Sequence, residues 1–134
     1  MFGFGKKKQD EGLSSNLQKF LEEADKCYVS AFQIRSIAVL KNHFSRECAL
    51  AMLSWINAEA SSRLLLHDKV RKTEWVIQSE DNVSLKILKS CVYREVRLTM
   101  SKTMKMSDDY QEIWTVDKTN GYMVTSIQTV EGGF

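Results

Sequence analysis

The chain has 134 residues, of which 43% are hydrophobic and 27% charged, and its formal net charge is +2. This length and composition indicate one ordinary globular domain and exclude a disordered chain. The small net charge argues against a dedicated nucleic-acid binder, which shows a clustered basic face. No apolar run reaches the ~18 residues that a membrane-spanning helix needs.

The N-terminal residues 1–12 predict a flexible basic tail without periodicity. Two apolar and three basic side chains stand out there: Phe2, Phe4, Lys6, Lys7 and Lys8. A solubilising tail is the ordinary interpretation of such a segment. The alternative is weak contact with an anionic membrane surface, since each lysine near such a surface contributes ~1 kcal/mol.

Helical periodicity begins at Leu13, with Ser14 or Ser15 as the predicted N-cap. Its apolar stripe comprises Leu17, Phe20, Leu21, Ala24, Tyr28, Ala31 and Phe32. We expect a break within residues 33–36 and a short helix within residues 34–41. Ser45 then predicts the cap of another helix, which runs to about Arg63. The inner face predicted for that helix consists of Cys48, Ala49, Met52, Leu53, Ile56 and Ala60.

After residue 70 the pattern changes to that of strands. Residues 73–79 predict a strand and residues 80–82 a turn. The alternation of apolar and polar residues is then interrupted at residues 88–91, which predicts a β-bulge. It resumes with the apolar residues at the other parity and continues to Met106. This predicts a strand of about fifteen residues, which is long for a globular sheet. Residues 107–109 predict a turn, and residues 110–116 and 122–130 predict strands joined by the Asn120-Gly121 hairpin. Residues 131–134 predict a frayed end.

Helices followed by consecutive strands with short turns predict an α+β fold, because strands joined by tight turns are antiparallel. We expect residues 13–130 to form a single domain, with the N-terminal helices packed on one face of a curled antiparallel sheet.

The predicted C-terminal hairpin carries a recognisable pattern of residues. Its two strands hold Glu112, Trp114 and Thr115, and then Ile127 and Gln128. The pattern resembles the signature of the translocase-subunit-44-like branch of nuclear transport factor 2-like proteins, where a Glu-x-Trp-Thr strand is followed by a hairpin and a strand ending in Ile-Gln.

Two positions depart from that signature. Asp117 stands where a basic residue is common, and Tyr122-Met123 replaces Trp-Leu. The resemblance implies a cone-shaped, cystatin-like arrangement of helices and sheet. It implies little about activity, because this fold serves isomerases, dehydratases, transport adaptors and secretion subunits alike.

A cone of this kind offers a mouth in which an apolar small molecule could bind. Six aromatic residues are candidates for its lining: Tyr28, Phe32, Trp55, Trp75, Tyr93 and Trp114. The alternative, which we favour, is that these large side chains fill the core of a small domain.

No set of residues predicts a catalytic or metal site. Asp25 and Glu59 are the candidate carboxylates of an isomerase-like pocket, but Asp25 lies in a charged stretch, residues 22–26, that is typical of a solvated helix face. His43 and His67 fall at element ends, where surface histidines are common. We therefore expect no catalytic residue, metal or cofactor.

The three cysteines are Cys27, Cys48 and Cys91. Their odd number and wide spacing predict free thiols in a reducing compartment, so we expect a cytoplasmic or membrane-peripheral protein.

Basic residues on the long predicted strand form a second candidate surface, for a protein or an anionic lipid. They are Arg94, Arg97, Lys102 and Lys105. Ordinary solvation is the competing interpretation.

The leading functional hypothesis is a non-enzymatic binding or protein-interaction domain that dimerises through the outer face of its sheet. A small-molecule pocket protein of the isomerase or lyase type is the alternative, and a membrane-peripheral transport or secretion component is the second alternative.

Overall fold

A computed structural model describes residues 13–63, 71–98 and 103–130 of the chain, with side chains described for 13–57, 72–92 and 109–130. Two α-helices precede four antiparallel strands, which form a curled sheet that does not close. The α+β class predicted from the sequence is confirmed. The elements are α1 (Ser15–Ile34), a 3-10 helix (Ala38–Leu40), α2 (Arg46–Arg63), β1 (Arg71–Glu80), β2 (Ser84–Leu98), β3 (Thr103–Asp117) and β4 (Met123–Thr129).

Helix α1 begins and ends as its sequence predicts. The Ser14 hydroxyl accepts a hydrogen bond of 3.1 Å from the Leu17 amide, which makes Ser14 the N-cap. Arg35 ends the helix in the left-handed conformation at φ 55°, and its amide donates to the carbonyl of Ala31. The apolar stripe of α1 is buried except for Phe20, which is half-buried, and Asp25 is buried with it at 8% exposure. The expectation that residues 22–26 form only a solvated face is therefore wrong for Asp25.

The connection into α2 is held by the last strand. Ser45 caps α2 by accepting from the Cys48 amide at 3.1 Å. The Ser45 amide donates to the Val124 carbonyl, and the Val124 amide donates to the His43 carbonyl, both at 2.8 Å. Leu53, predicted to face inward, is 37% exposed because the buried face of α2 follows Cys48, Met52 and Ile56 instead.

The sheet has the strand order β1-β2-β3-β4, so each strand pairs with its neighbour in the chain. The register shifts between Ile77 and Ser79 in β1 and between Thr115 and Val116 at the β3–β4 pair. Bulges of this kind bend the bulged strand and increase its twist. Both register shifts lie outside residues 88–91, where the sequence predicts a bulge.

The predicted bulge at residues 88–91 is absent from the described pairing of β2 with its two neighbours, which runs through these positions without a shift. Leu85, Ile87, Lys89 and Cys91 are all buried and occupy one face of the strand. Lys89 is the charged member of this buried series. In the sequence it breaks the alternation of apolar and polar residues, and a β-bulge would break the alternation in the same way.

The turn predicted at residues 107–109 is also wrong. These residues lie inside β3 and pair with residues 92–94 of β2. The chain reverses between Leu98 and Thr103, which pair with each other, so the strand predicted to run on to Met106 is divided between β2 and β3. Cross-strand pairing outweighs the turn preference of Ser and Asp, because strand propensity depends on context.

The core lies between α1, α2 and the concave face of the sheet. Trp114 is its largest fully buried side chain and contacts Trp75, Phe44 and Tyr28 at ring-centroid distances of 5.0, 5.5 and 5.6 Å. Among the described helices, none has the length and apolar character that a bilayer crossing requires.

Two turn aspartates make the stability of the fold depend on pH. Asp81 accepts backbone hydrogen bonds from Val83 and Ser84, which lower the pKa of its carboxyl group. The hydroxyl and amide of Thr119 likewise lower the pKa of Asp117. A lowered folded-state pKa means that the stabilisation is complete above the unfolded-state pKa of ~3.9 and is lost as pH falls through the folded-state value.

We therefore expect the double variant Asp81→Asn, Asp117→Asn to flatten the loss of unfolding free energy below about pH 5. Asparagine keeps the turn acceptor and removes the titrating charge. Urea unfolding at a series of pH values measures the slope, and Glu74→Gln on exposed β1 serves as the control. An unchanged slope in the double variant would contradict the assignment.

Candidate functional site

Three charged side chains meet inside the core, one from each of three elements. Asp25 comes from α1, Lys89 from β2 and Glu112 from β3. Lys89 is 0% exposed and Glu112 is 1% exposed. Burial of charge costs several kcal/mol per ion even after relaxation, so these groups must be held by close partners.

Lys89 is the centre of this charged cluster, which we define as Asp25, Lys89 and Glu112. Its Nζ lies 2.6 Å from Asp25 Oδ1 and 3.5 Å from Glu112 Oε1. Among the described residues, none accepts a well-directed hydrogen bond from Nζ. The ammonium group is therefore held by charge and by its surroundings more than by directed bonds.

Both oxygens of Glu112 accept hydrogen bonds from buried aromatic side chains. The Tyr28 hydroxyl donates to Oε2 at 2.6 Å, and Trp114 Nε1 donates to Oε1 at 3.0 Å. Hydrogen bonds to a charged group stabilise by about 1.5–3 kcal/mol each, more than neutral pairs do. Glu112 thus ties the first helix to the middle of the sheet.

Aromatic rings surround the Lys89 ammonium group. Nζ lies 4.0, 4.8, 5.0 and 5.8 Å from the ring centroids of Tyr28, Trp114, Tyr110 and Trp75. Cations within ~6 Å of an aromatic face are attracted by the ring quadrupole, and the attraction is stronger when water is excluded. The rings therefore supply part of the stabilisation that water would otherwise give.

Strand register explains how the sheet assembles this group. Trp75 pairs with Lys89, and Lys89 pairs with Glu112, so the three stand in one row across β1, β2 and β3. Trp114 follows Glu112 by two residues and shares its face, because strand side chains alternate. On α1, Asp25 and Tyr28 lie one turn apart on the side that faces this row.

This arrangement leaves few polar atoms of the charged cluster accessible to a ligand. Lys89 is enclosed, and both oxygens of Glu112 already accept hydrogen bonds. Asp25 is the member that borders open space. It lines a cavity of about 430 Å³ between α1 and β1, whose lining residues are Glu22, Asp25, Lys26, Val29, Ser30, Gln33, Thr73 and Trp75.

The predicted pocket residues lie mainly in the core. Tyr28, Phe32, Trp75 and Trp114 are buried at 6% exposure or less. Trp55 is half-buried and meets Phe32 edge-on at 5.3 Å. Of these buried rings, Trp75 also reaches the wall of the cavity beside Asp25.

Several predicted site residues fall outside what the structure describes. The backbones of Arg94, Arg97 and Lys105 belong to β2 and β3, but their side chains are not described. Lys102 and the tail residues Phe2, Phe4, Lys6, Lys7 and Lys8 lie outside the described residues. The same holds for His67, and for the side chains of Glu59 and Tyr93.

Sequence reasoning missed Lys89 as the centre of the charged cluster. The available signal was its parity with Leu85, Ile87 and Cys91, because a lone lysine in an otherwise apolar strand phase indicates a buried charge in need of partners. Its partners could not be read from the sequence, since Asp25 and Glu112 are distant from it in the chain.

The outward face of the sheet is a second candidate site, and its residues stand in rows across the strands. One row is apolar and joins Val76, Leu88 and Ile113. Another row places Lys72, Val92 and Asp109 side by side. Val76 and Val92 are 50% and 51% exposed, which is high for apolar strand residues.

No protein-family model matches this sequence, and no curated protein matches it. Within the described residues, no group of three or more His, Cys, Asp or Glu side chains is placed to hold a metal ion.

We expect Glu112→Ala to lower the free energy of unfolding by about 3–5 kcal/mol, because it leaves Lys89 with one carboxylate partner and two buried donors without an acceptor. Lys19→Ala, at an exposed position on α1, should change stability by less than ~0.5 kcal/mol. Denaturant unfolding of both variants measures the difference. A Glu112→Ala variant as stable as Lys19→Ala would show that the charged cluster does not hold the core.

Proposed function

We propose that this chain is a non-enzymatic protein-interaction domain that forms a homodimer through the outward face of its sheet. The observation that carries the proposal is the row of Lys72, Val92 and Asp109, which is complementary to itself. The fold implied by the resemblance to translocase-subunit-44-like proteins includes transport adaptors among its functions. A buried charged cluster whose groups are largely engaged by one another supports a binding role over a catalytic one.

The self-complementarity follows from symmetry. When two copies of a sheet pack face to face about a twofold axis along β2, β1 of one copy lies over β3 of the other. Each row then meets its own copy in reverse order. Lys72 of one protomer therefore faces Asp109 of its partner, twice in each dimer, while the Val92 side chains meet at the axis. Such a contact is isologous, the usual geometry of homodimers.

The apolar row supports the same arrangement. Val76 faces Ile113 of the second copy, and the Leu88 side chains meet at the axis. Strands β2 and β3 pair over 15 residues. At ~3.3 Å per residue they are about 50 Å long, and with their neighbours they form a face of the same order as the ~800 Å² that each partner of a standard interface buries.

A charge-swap series tests this dimer. Lys72→Asp and Asp109→Lys each place like charges opposite one another, and we expect each to raise the dimer dissociation constant by about tenfold or more, because like-charge juxtaposition is costly. The double variant restores the attraction and should return the dissociation constant close to the wild-type value. Sedimentation equilibrium at low salt measures all four proteins.

Lys19→Asp, an exposed change on α1 away from the sheet face, is the matched control and should leave the dimer intact. A wild-type chain that stays monomeric at high micromolar concentration would contradict the proposal. So would a double variant that dimerises no better than either single variant.

The cavity beside Asp25 supports a second candidate function, a small-molecule pocket protein of the isomerase or lyase type. Its volume of about 430 Å³ lies in the range of ligand sites, about 300–1,000 Å³. Asp25 supplies a carboxylate and Trp75 an apolar wall.

The apolar fluorescent probe anilinonaphthalene sulfonate tests the pocket. We expect saturable binding in the wild type and a loss of about tenfold in affinity in Val29→Trp, whose indole would fill the cavity. Lys19→Trp adds the same ring at an exposed site and should not change binding. Binding that does not saturate, or that is equal in both variants, would remove this candidate.

A further inference from the structure

Away from the charged cluster, a thiol, an imidazole and a carboxylate stand in line. Cys27 Sγ lies 3.7 Å from His43 Nδ1. On the other side of the ring, His43 Nε2 lies 3.7 Å from Glu23 Oε1. Glu23 and Cys27 are four residues apart on α1, so their side chains are neighbours on one helix face.

His43 is held in place by its backbone and by its ring. Its amide donates to the Leu40 carbonyl at 3.1 Å, and its carbonyl accepts from the Val124 amide at 2.8 Å. The ring contacts Phe20 at a centroid distance of 5.5 Å, and Phe20 contacts Tyr122 on the far side at 5.4 Å. The imidazole is thus positioned by groups from three separate parts of the chain.

The charge of Glu23 acts on one of the two ring nitrogens, since its Oε1 lies 3.7 Å from Nε2. A carboxylate beside Nε2 favours the tautomer in which Nε2 carries the hydrogen. Nδ1 then presents its lone pair to the Cys27 thiol. A cysteine is commonly activated in this way, by a base that contacts the thiol and an acidic residue that orients the base.

The thiol of Cys27 is protonated at rest. Burial, and then the negative charge of Glu23, raise its pKa above the ordinary value. Its reactivity must therefore come from transfer of the proton to His43 during attack. Burial also raises the pKa of Cys48, to about 11, and its side chain is only 4% exposed.

We propose that Cys27 is a reactive-thiol site for small, uncharged carbon electrophiles, with His43 as general base and Glu23 as the residue that positions His43. Cys27 is half-buried and Glu23 is half-exposed beside it, which disfavours large and anionic reagents. The rings of Phe20 and Tyr122 give the neighbourhood an apolar side.

The chemistry balances without a cofactor. With an α,β-unsaturated carbonyl, sulfur bonds to the β-carbon, the thiol proton passes to His43 Nδ1, and the α-carbon takes up a proton from His43 or water. With iodoacetamide, the S–C bond forms as the C–I bond breaks, iodide leaves with the bonding pair, and the proton passes through His43 to water.

Iodoacetamide labelling of the full chain, resolved by cysteine through peptide mass spectrometry, tests the site. At pH 7 we expect Cys27 to react at least tenfold faster than Cys48 and Cys91, because those two side chains are 4% and 1% exposed whereas Cys27 is half-buried beside His43.

His43→Gln should lower the rate at Cys27 about tenfold or more, because the general base is lost. Glu23→Gln should lower the rate by a smaller factor while Cys48 stays protected. Glu22→Gln, the adjacent carboxamide change on α1, is the matched control and should leave the rate at Cys27 unchanged.

Cys48 and Cys91 report on folding in every variant, because they become reactive when the core opens. A slower Cys27 with Cys48 still protected supports the proposal. An unchanged or faster Cys27 in His43→Gln overturns it.

Discussion

The buried ammonium group of Lys89 is the constraint on which the rest of this structure depends. A charge that is 0% exposed must find compensation within the core, because its hydration is lost. Asp25 from α1 and Glu112 from β3 supply charge, and four aromatic rings supply their faces. The packing of α1 on the sheet and the register of β1, β2 and β3 are therefore linked through one side chain.

This constraint also shapes what the protein can do. Asp25 and Glu112 are both paired with Lys89, and Glu112 accepts from Tyr28 and Trp114 as well. Two of the proposed sites lie outside this cluster. They are the outward face of the sheet and the line of Glu23, His43 and Cys27. These two features lie on different parts of the domain, so they can be tested separately.

Two residues of β3 show how the core accommodates a buried charge. Glu112 and Trp114, two residues apart in β3, share the core face and bond to each other at 3.0 Å. A Glu-x-Trp pair in a strand is thus a compact way to bring a charge and its donor into a core. Packing alone therefore explains why these two residues stand two positions apart in this chain.

The order of helical and strand periodicity along the chain determined the α+β class. Local features were also determined by the sequence alone: an N-cap at Ser14 or Ser15, the cap at Ser45, the end of α1 within residues 33–36 and the Asn-Gly hairpin. Each depends on neighbours within a few residues. Only the tertiary structure decided the burial of Asp25, the continuous register through Lys89 and the place of residues 107–109 inside a strand. Those outcomes depend on partners from distant parts of the chain, whose distances a linear pattern does not contain.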